Sequence, residues 1–406
     1  MPIISKQDAN EILMLSLFTP GHHGWGLPFL LWGLPGVGKT KMISDFCVDH
    51  GLPVYTMSPG EMGEAAFGVV PVPEGSGANM TIRFPPPGDI VDRFFSGRGV
   101  LFTDELTTAP RAAKPGMLSL LLEKRLGGHY FGDGVRVIGA ANPPDIAAAG
   151  LDLTIPEANR LVHVNWRMQD VDSWTMYMLG SLVGASRPTP ADPAAIEAHV
   201  LSEWNDVFPQ WVAKVSGFMQ RPDNLRLFHK LPDKGQDRTR AWASPRSWDV
   251  AVRMMAGATI HNTNEELRDE VLSGTVGSDA ATSFLQFVRD KELPDAIEVL
   301  TGKVQWQPSP KRPDITYAVC QGMAAHIVGR HKTAKSNDEK QAVTQNIVRF
   351  CTLTMGWKSV REITAITGKT ILEGGITIAG AGDVARKWLS EHNAVLAAAR
   401  GVANSR

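Results

Sequence analysis

Gly33-Leu34-Pro35-Gly36-Val37-Gly38-Lys39-Thr40 is preceded by Leu27-Pro28-Phe29-Leu30-Leu31-Trp32 and followed by Lys41-Met42-Ile43-Ser44-Asp45-Phe46-Cys47. The upstream run is apolar enough for a short buried strand, and downstream the apolar positions recur at helical spacing. A glycine-rich loop between a strand and a helix, closed by Lys-Thr, is the arrangement that wraps backbone N–H groups around phosphates. Glycine permits that inward turn because it has no Cβ, and the helix aims its positive dipole end at the same anion. Lys39 is then placed to reach the β- and γ-phosphates, and the Thr40 hydroxyl to ligate Mg²⁺. Pro35, Gly36, Val37, Gly38, Lys39, Thr40 and Lys41 are the expected nucleotide contacts.

Two further strand ends carry polar groups. Gly99-Val100-Leu101-Phe102-Thr103 runs into Asp104-Glu105, and Val137-Ile138-Gly139-Ala140-Ala141 runs into Asn142. An acid at the tip of a strand beside a phosphate loop helps to hold Mg²⁺, which suits Asp104; Glu105 is placed to orient or deprotonate a water. Ligand crevices in open parallel sheets lie at the carboxyl ends of the strands. Asn142 there either holds the attacking water or γ-phosphate, or forms the turn before Pro143-Pro144.

Around these lie an opening helix capped by Ser5 and reaching Leu17, a break at Thr19–Gly26, and a strand at 53–57. The Gly- and Pro-rich passage from Ser58 to Phe84 is too long for an ordinary connection and is either functional or carries structure of its own. Further expectations are helices over 89–95 and 110–124, a hairpin over 125–136 with a Gly-Asp-Gly tip, and a last strand over 161–166. His22-His23 lacks further metal-type ligands and reads as a loop beside the nucleotide base. Trp174, Trp204, Trp211, Trp242 and Trp248 read as helix-packing residues. Ser244-Pro245-Arg246 opens a helix with an arginine in its first turn, against the dipole, which hints at another duty. From 262 onward helices are expected over 264–272, 280–288, 296–301, 315–328, 341–353 and 383–400, with a polar loop over 331–340.

The 406 residues suggest two or three domains, and the apolar content suits sizeable cores. A net charge of -1 and a pI near 6.8 provide no global attraction to nucleic acid or anionic lipid. Cys47, Cys320 and Cys351 are far apart and read as reduced and buried. No secretory leader or membrane span is expected, and cytoplasm is the default location.

Taken in order, Gly33 to Thr40, Asp104-Glu105, Asn142, Arg160 and Ser244-Pro245-Arg246 resemble the nucleotide site of AAA+ ATPases, most closely the MoxR branch and its dynein-related relatives. That resemblance implies an α/β P-loop core with a parallel sheet flanked by helices over 1–168, a helical lid over 169–265, and a mostly helical region over 266–406. It makes Lys39 and Thr40 Walker A, Asp104 and Glu105 Walker B, and Asn142 sensor 1. Arg160 matches the arginine finger that serves a neighbouring subunit's ATP, with Arg167 as its nearest competitor, and Arg246 matches sensor 2. The 58–84 passage and the 127–136 segment fall where such proteins carry a helix-2 insert and a pre-sensor-1 hairpin. The implied function is hydrolysis of ATP with Mg²⁺ in a homo-oligomeric ring, a hexamer by the resemblance. The ring would remodel or activate a protein client, with any von Willebrand factor A-domain partner a separate chain. One rival is a nucleic-acid motor using ATP or GTP. Its support is the basic stretch Arg221, Arg226, Lys230, Lys234, Arg238 and Arg240, which Asp223, Asp233 and Asp237 interrupt, as in a solvated face. A nucleotide-switched scaffold with little turnover is a second rival.

Overall fold

The computed structural model describes residues 6–58, 71–86, 88–94, 97–110, 112–143, 146, 153–167, 175, 178, 189–232 and 239–403. Ser5, Pro144, Trp174, Lys234, Arg238, Asp233, Asp237 and most of the 58–70 passage lie outside them. The chain forms two compact units, Met1–Leu201 with Lys230–Ala281, and Ser202–His229 with Thr282–Arg406.

The first unit is built on a five-stranded sheet of β1 (Phe29–Trp32), β2 (Val54–Met57), β3 (Arg98–Thr103), β4 (Gly134–Ala141) and β5 (Val162–Asn165). All pairs are parallel, in the order β5-β1-β4-β3-β2. A parallel sheet is covered on both faces, so its strands are continuous apolar runs; all of β1 is buried. Leu30, Trp32, Met57, Leu101, Met117, Leu120 and Leu121 share one core cluster. Each such side chain contributes about 1.5–3 kcal/mol when fully buried. Together these features give the α/β P-loop core.

The flanking helices are α1 (Lys6–Leu17), α2 (Lys39–Asp49), α3 (Gly88–Phe94), α4 (Lys114–Glu123), α5 (Ile155–Ala158), α6 (Pro193–Phe218), α7 (Pro245–Ile260) and α8 (Glu265–Val276). α4 begins four residues later than the sequence suggests. Pro115 has no N–H and costs least in a first turn, so the helix starts beside it. The expected hairpin is also displaced. Arg125 pairs with Tyr130 and Leu126 with His129 across Gly127-Gly128, with Gly127 at φ 56, a two-residue turn of the kind that suits strand twist. Gly132-Asp133-Gly134 leads instead straight into β4. α8 packs on β5 through Gly274, where any Cβ would lie 1.8 Å from the His163 carbonyl oxygen.

The second unit is helical: α9 (Ser278–Val288), α10 (Ala296–Thr301), α11 (Pro313–Thr333), α12 (Asn337–Met355), α13 (Arg361–Glu373) and α14 (Asp383–Ala403), with α6 and α9 contributing residues to both units. The loop expected over 331–340 shrinks to 334–336. Ser336 and Glu339 form a capping box, so the charged residues there make an exposed first turn of α12. Trp211 and Trp248 are buried, as helix packing requires, and the three cysteines are free and buried. Among the described residues no helix is long and apolar enough to cross a membrane.

Candidate nucleotide site

Because β4 lies between β1 and β3, three strand ends emerge side by side. Ala141 pairs with Trp32 and Gly139 with Thr103, so Gly33, Asp104 and Asn142 share one edge of the sheet. Adjacent strands are about 4.8 Å apart, within side-chain reach. The Gly33 N–H donates to the Ala141 carbonyl, which pins the start of the loop. Gly36 and Gly38 have φ of +78 and +87, where an L side chain is strained. No side chain caps α2 at Gly38, leaving the first-turn N–H groups facing the loop for an anion.

Lys39 is buried, and its Nζ donates to the Gly33 carbonyl at 2.7 Å, the Leu34 carbonyl at 3.1 Å and Asn142 Oδ1 at 3.1 Å. Burial pushes the ammonium pKa down, while the charges of Asp104 and Glu105 work against that fall. Asn142 thus touches Lys39 and is itself buried. The Thr40 hydroxyl donates to Asp104 Oδ2 at 2.6 Å, and the other Asp104 oxygen accepts from the Glu105 N–H at 2.9 Å. Two converging oxygens fit Mg²⁺, which takes one or two protein oxygens and completes its shell with phosphate and water. The Lys41 side chain runs along α2, with its Nζ 2.5 Å from Asp45 Oδ1.

Glu105 is exposed, with φ 54 and ψ 44, a left-handed conformation for a residue with a Cβ. Its carbonyl accepts from both the N–H and the hydroxyl of Thr108, which holds the turn. Such strain clusters where a side chain must be aimed. Glu105→Gly is expected to stabilise the fold by about 1 kcal/mol while deleting the carboxylate. Urea unfolding reads this, and a lower midpoint would show that the turn stores no strain.

The two arginines lie elsewhere. Val162 pairs with Phe29, and its N–H donates to the Pro28 carbonyl, so Arg160 sits at the edge where β1 begins. At about 3.3 Å per residue, Arg160 is about 15–20 Å from Gly33 along the strand direction, beyond an arginine's reach. α5 is set by a local capping box of Thr154 and Glu157, with Pro156 in its first turn, and Arg160 follows at its exit. Arg246, in the first turn of α7, lines the same cavity of about 300 Å³ as Arg160, together with His22, His23, Lys124 and Arg253. None of residues 33–40 lines it. The His22-His23 loop therefore opens onto this far edge, with His22 bonded to Asp249 of α7, and not onto the phosphate loop. Burial pushes the Lys124 ammonium down to about 7; Arg136 adds to the fall and Asp133 opposes it. Arg167 Nη2 is held by Glu270 at 2.5 Å.

Several residues escaped the sequence reading. Arg240 is half-buried, its guanidinium 3.8 Å from the centre of the Trp32 ring, and does not belong to a solvated basic face. Trp32 in turn donates to His163 Nδ1 at 2.9 Å. Asp249 and Arg253 join the cavity because one helix face brings positions 246, 249, 250 and 253 together, a spacing that the sequence does carry. Asn159, beside Arg160, binds the α7 cap and had no sequence signal at all.

No family model matches the chain, and no curated protein matches it. Among solved structures, a crystal structure of a proposed ATPase from Cytophaga hutchinsonii is similar at 14% identity, covering 68% of this chain and 82% of that one with a TM-score of 0.45.

Proposed function

We propose that this chain is an ATPase of MoxR-like type that works as an oligomeric ring. The observation that carries this reading is the division of its charged groups between the two edges of one sheet. Lys39, Thr40, Asp104, Glu105 and Asn142 converge where a nucleotide's phosphates would lie, whereas Arg160 and Arg246 stand at the opposite edge. Phosphoryl transfer is mostly positioning and charge stabilisation, and it profits from an arginine arriving on the transferring phosphoryl group. In this reading Arg160 and Arg246, out of reach of their own loop, are supplied to a second copy.

In this reading the loop N–H groups and Lys39 bind the phosphates, and Asn142 fixes the Lys39 ammonium and a γ-phosphate oxygen or the attacking water. Glu105 orients that water and accepts its proton. Mg²⁺, held by Thr40 and Asp104, would neutralise charge on the β- and γ-phosphate oxygens. Arg160 is favoured over Arg167 as the arginine acting in trans, since Arg167 is engaged by Glu270. ATP as the nucleotide, a hexameric ring, a protein client and a separate von Willebrand factor A-domain partner follow from the MoxR resemblance.

The test is the ATPase rate per protomer against protein concentration at saturating ATP and Mg²⁺. The rate is expected to climb and then level off as copies assemble. A flat, appreciable rate across a range where sizing shows monomers would remove the shared-site reading.

A further inference from the structure

We propose that Asn159 is a positioning residue for the pair of arginines. The inference rests on the reading above, in which Arg160 and Arg246 act on the nucleotide of a second copy. The Asn159 amide spans the gap between the two arginine-bearing segments: Nδ2 donates to the Trp242 carbonyl at 2.7 Å, and Oδ1 accepts from the Ser244 hydroxyl at 2.6 Å. Its orientation is dictated, since a carbonyl oxygen can only accept. Ser244 is also the N-cap of α7, accepting from the Ser247 N–H at 3.2 Å, and the Ser247 hydroxyl returns to the Trp242 carbonyl at 2.9 Å. Trp242 Nε1 adds a bond to the Ile155 carbonyl at 3.3 Å.

The contrast in burial gives this clamp its meaning. Asn159 is 6% exposed, Ser244 4% and Ser247 2%, whereas the adjoining Arg160 and Arg246 are exposed. Among the described residues neither guanidinium makes an ion pair or hydrogen bond. Apolar packing would join α5 to α7 as well, but without direction; buried, fully paired polar groups fix one geometry. Each arginine lies one or two residues from a clamp atom, so the amide sets the spacing of two guanidiniums that approach one phosphate group. Misplacement by about 1 Å at such a site costs up to about 10²-fold in rate.

The experiment compares Asn159→Ala and Ser244→Gly with wild type in the full-length assembled protein; glycine is a tolerated N-cap, so the second variant probes the same contact if the first fails to fold. Expected is a fall in kcat of about 10- to 100-fold for each, with affinity for a fluorescent ADP analogue unchanged within about twofold. Ser244→Thr, which keeps the hydroxyl, should stay within about threefold of wild type. In an Arg160→Ala, Arg246→Ala background Asn159→Ala should cost nothing more, because the groups it positions are gone. Wild-type kcat in both single variants, a matching loss of ADP affinity, or a full additional loss in the arginine-free background would each overturn the clamp's role. An assembled wild type with no turnover at all removes the ATPase reading itself, a distinguishable result.

Discussion

Arg160→Ala is expected to lower the turnover of the assembled protein by about 10³- to 10⁵-fold while leaving nucleotide affinity near wild type. The size follows from what an arginine does at a transferring phosphoryl group, where it meets charge that develops only in the transition state. The sparing of affinity follows from position: Arg160 stands beside the start of β5, whose register against β1 places it at the sheet edge away from Gly33. Mixing supplies the decisive control. Lys39→Ala protein has lost its own phosphate ligand but keeps its arginines, so adding it to Arg160→Ala protein should restore turnover at the intact loops. Absence of recovery in rings shown to contain both chains would place the effect of Arg160 within its own subunit.

Glu105→Gln should reduce kcat by about 10²- to 10⁴-fold, the usual worth of a positioned general base, and leave ATP bound but uncleaved. Glutamine preserves the side-chain length and the left-handed backbone at φ 54, so the turn held by Thr108 survives. It also removes a negative charge that helps to keep Lys39 protonated, so affinity for the phosphates should not rise through that residue. Single-turnover measurement separates binding from cleavage. Cleavage at the wild-type rate would shift water activation away from Glu105, while a loss of binding would make it a ligand-holding group.

Much of the phosphate end was legible because each part is local. The loop lies between its own strand and helix, Asp104 and Glu105 end the strand they terminate, and Asn142 follows β4 directly. Asn142 illustrates the limit: the sequence left it either a turn former or a site residue, and the bond to Lys39 Nζ, across 103 positions, is a tertiary fact. The hairpin and the start of α4 were misplaced by competition between local signals. Gly127-Gly128 and Gly132-Asp133-Gly134 both read as turns, and only pairing partners choose between them. Pro115 was the overlooked marker for α4.

The basic stretch shows the reverse case, where composition misled. Arg240 has the sequence surroundings of a solvated residue, yet Trp32, over two hundred positions earlier, offers its ring face, and a guanidinium stacked on an indole gains from both charge and contact.

By itself, then, the sequence determined the strand, loop and helix around Gly33–Thr40 and the acids at the end of β3, since strand, turn and helix propensities act over a few residues. Tertiary structure decided the rest: that β4 threads between β1 and β3, that Arg160 and Arg246 face away from their own loop, and that Asn159 ties them together across 85 positions. Those outcomes depend on strand order and parallel register, which bring distant residues to one edge or to opposite edges, and no local preference encodes which.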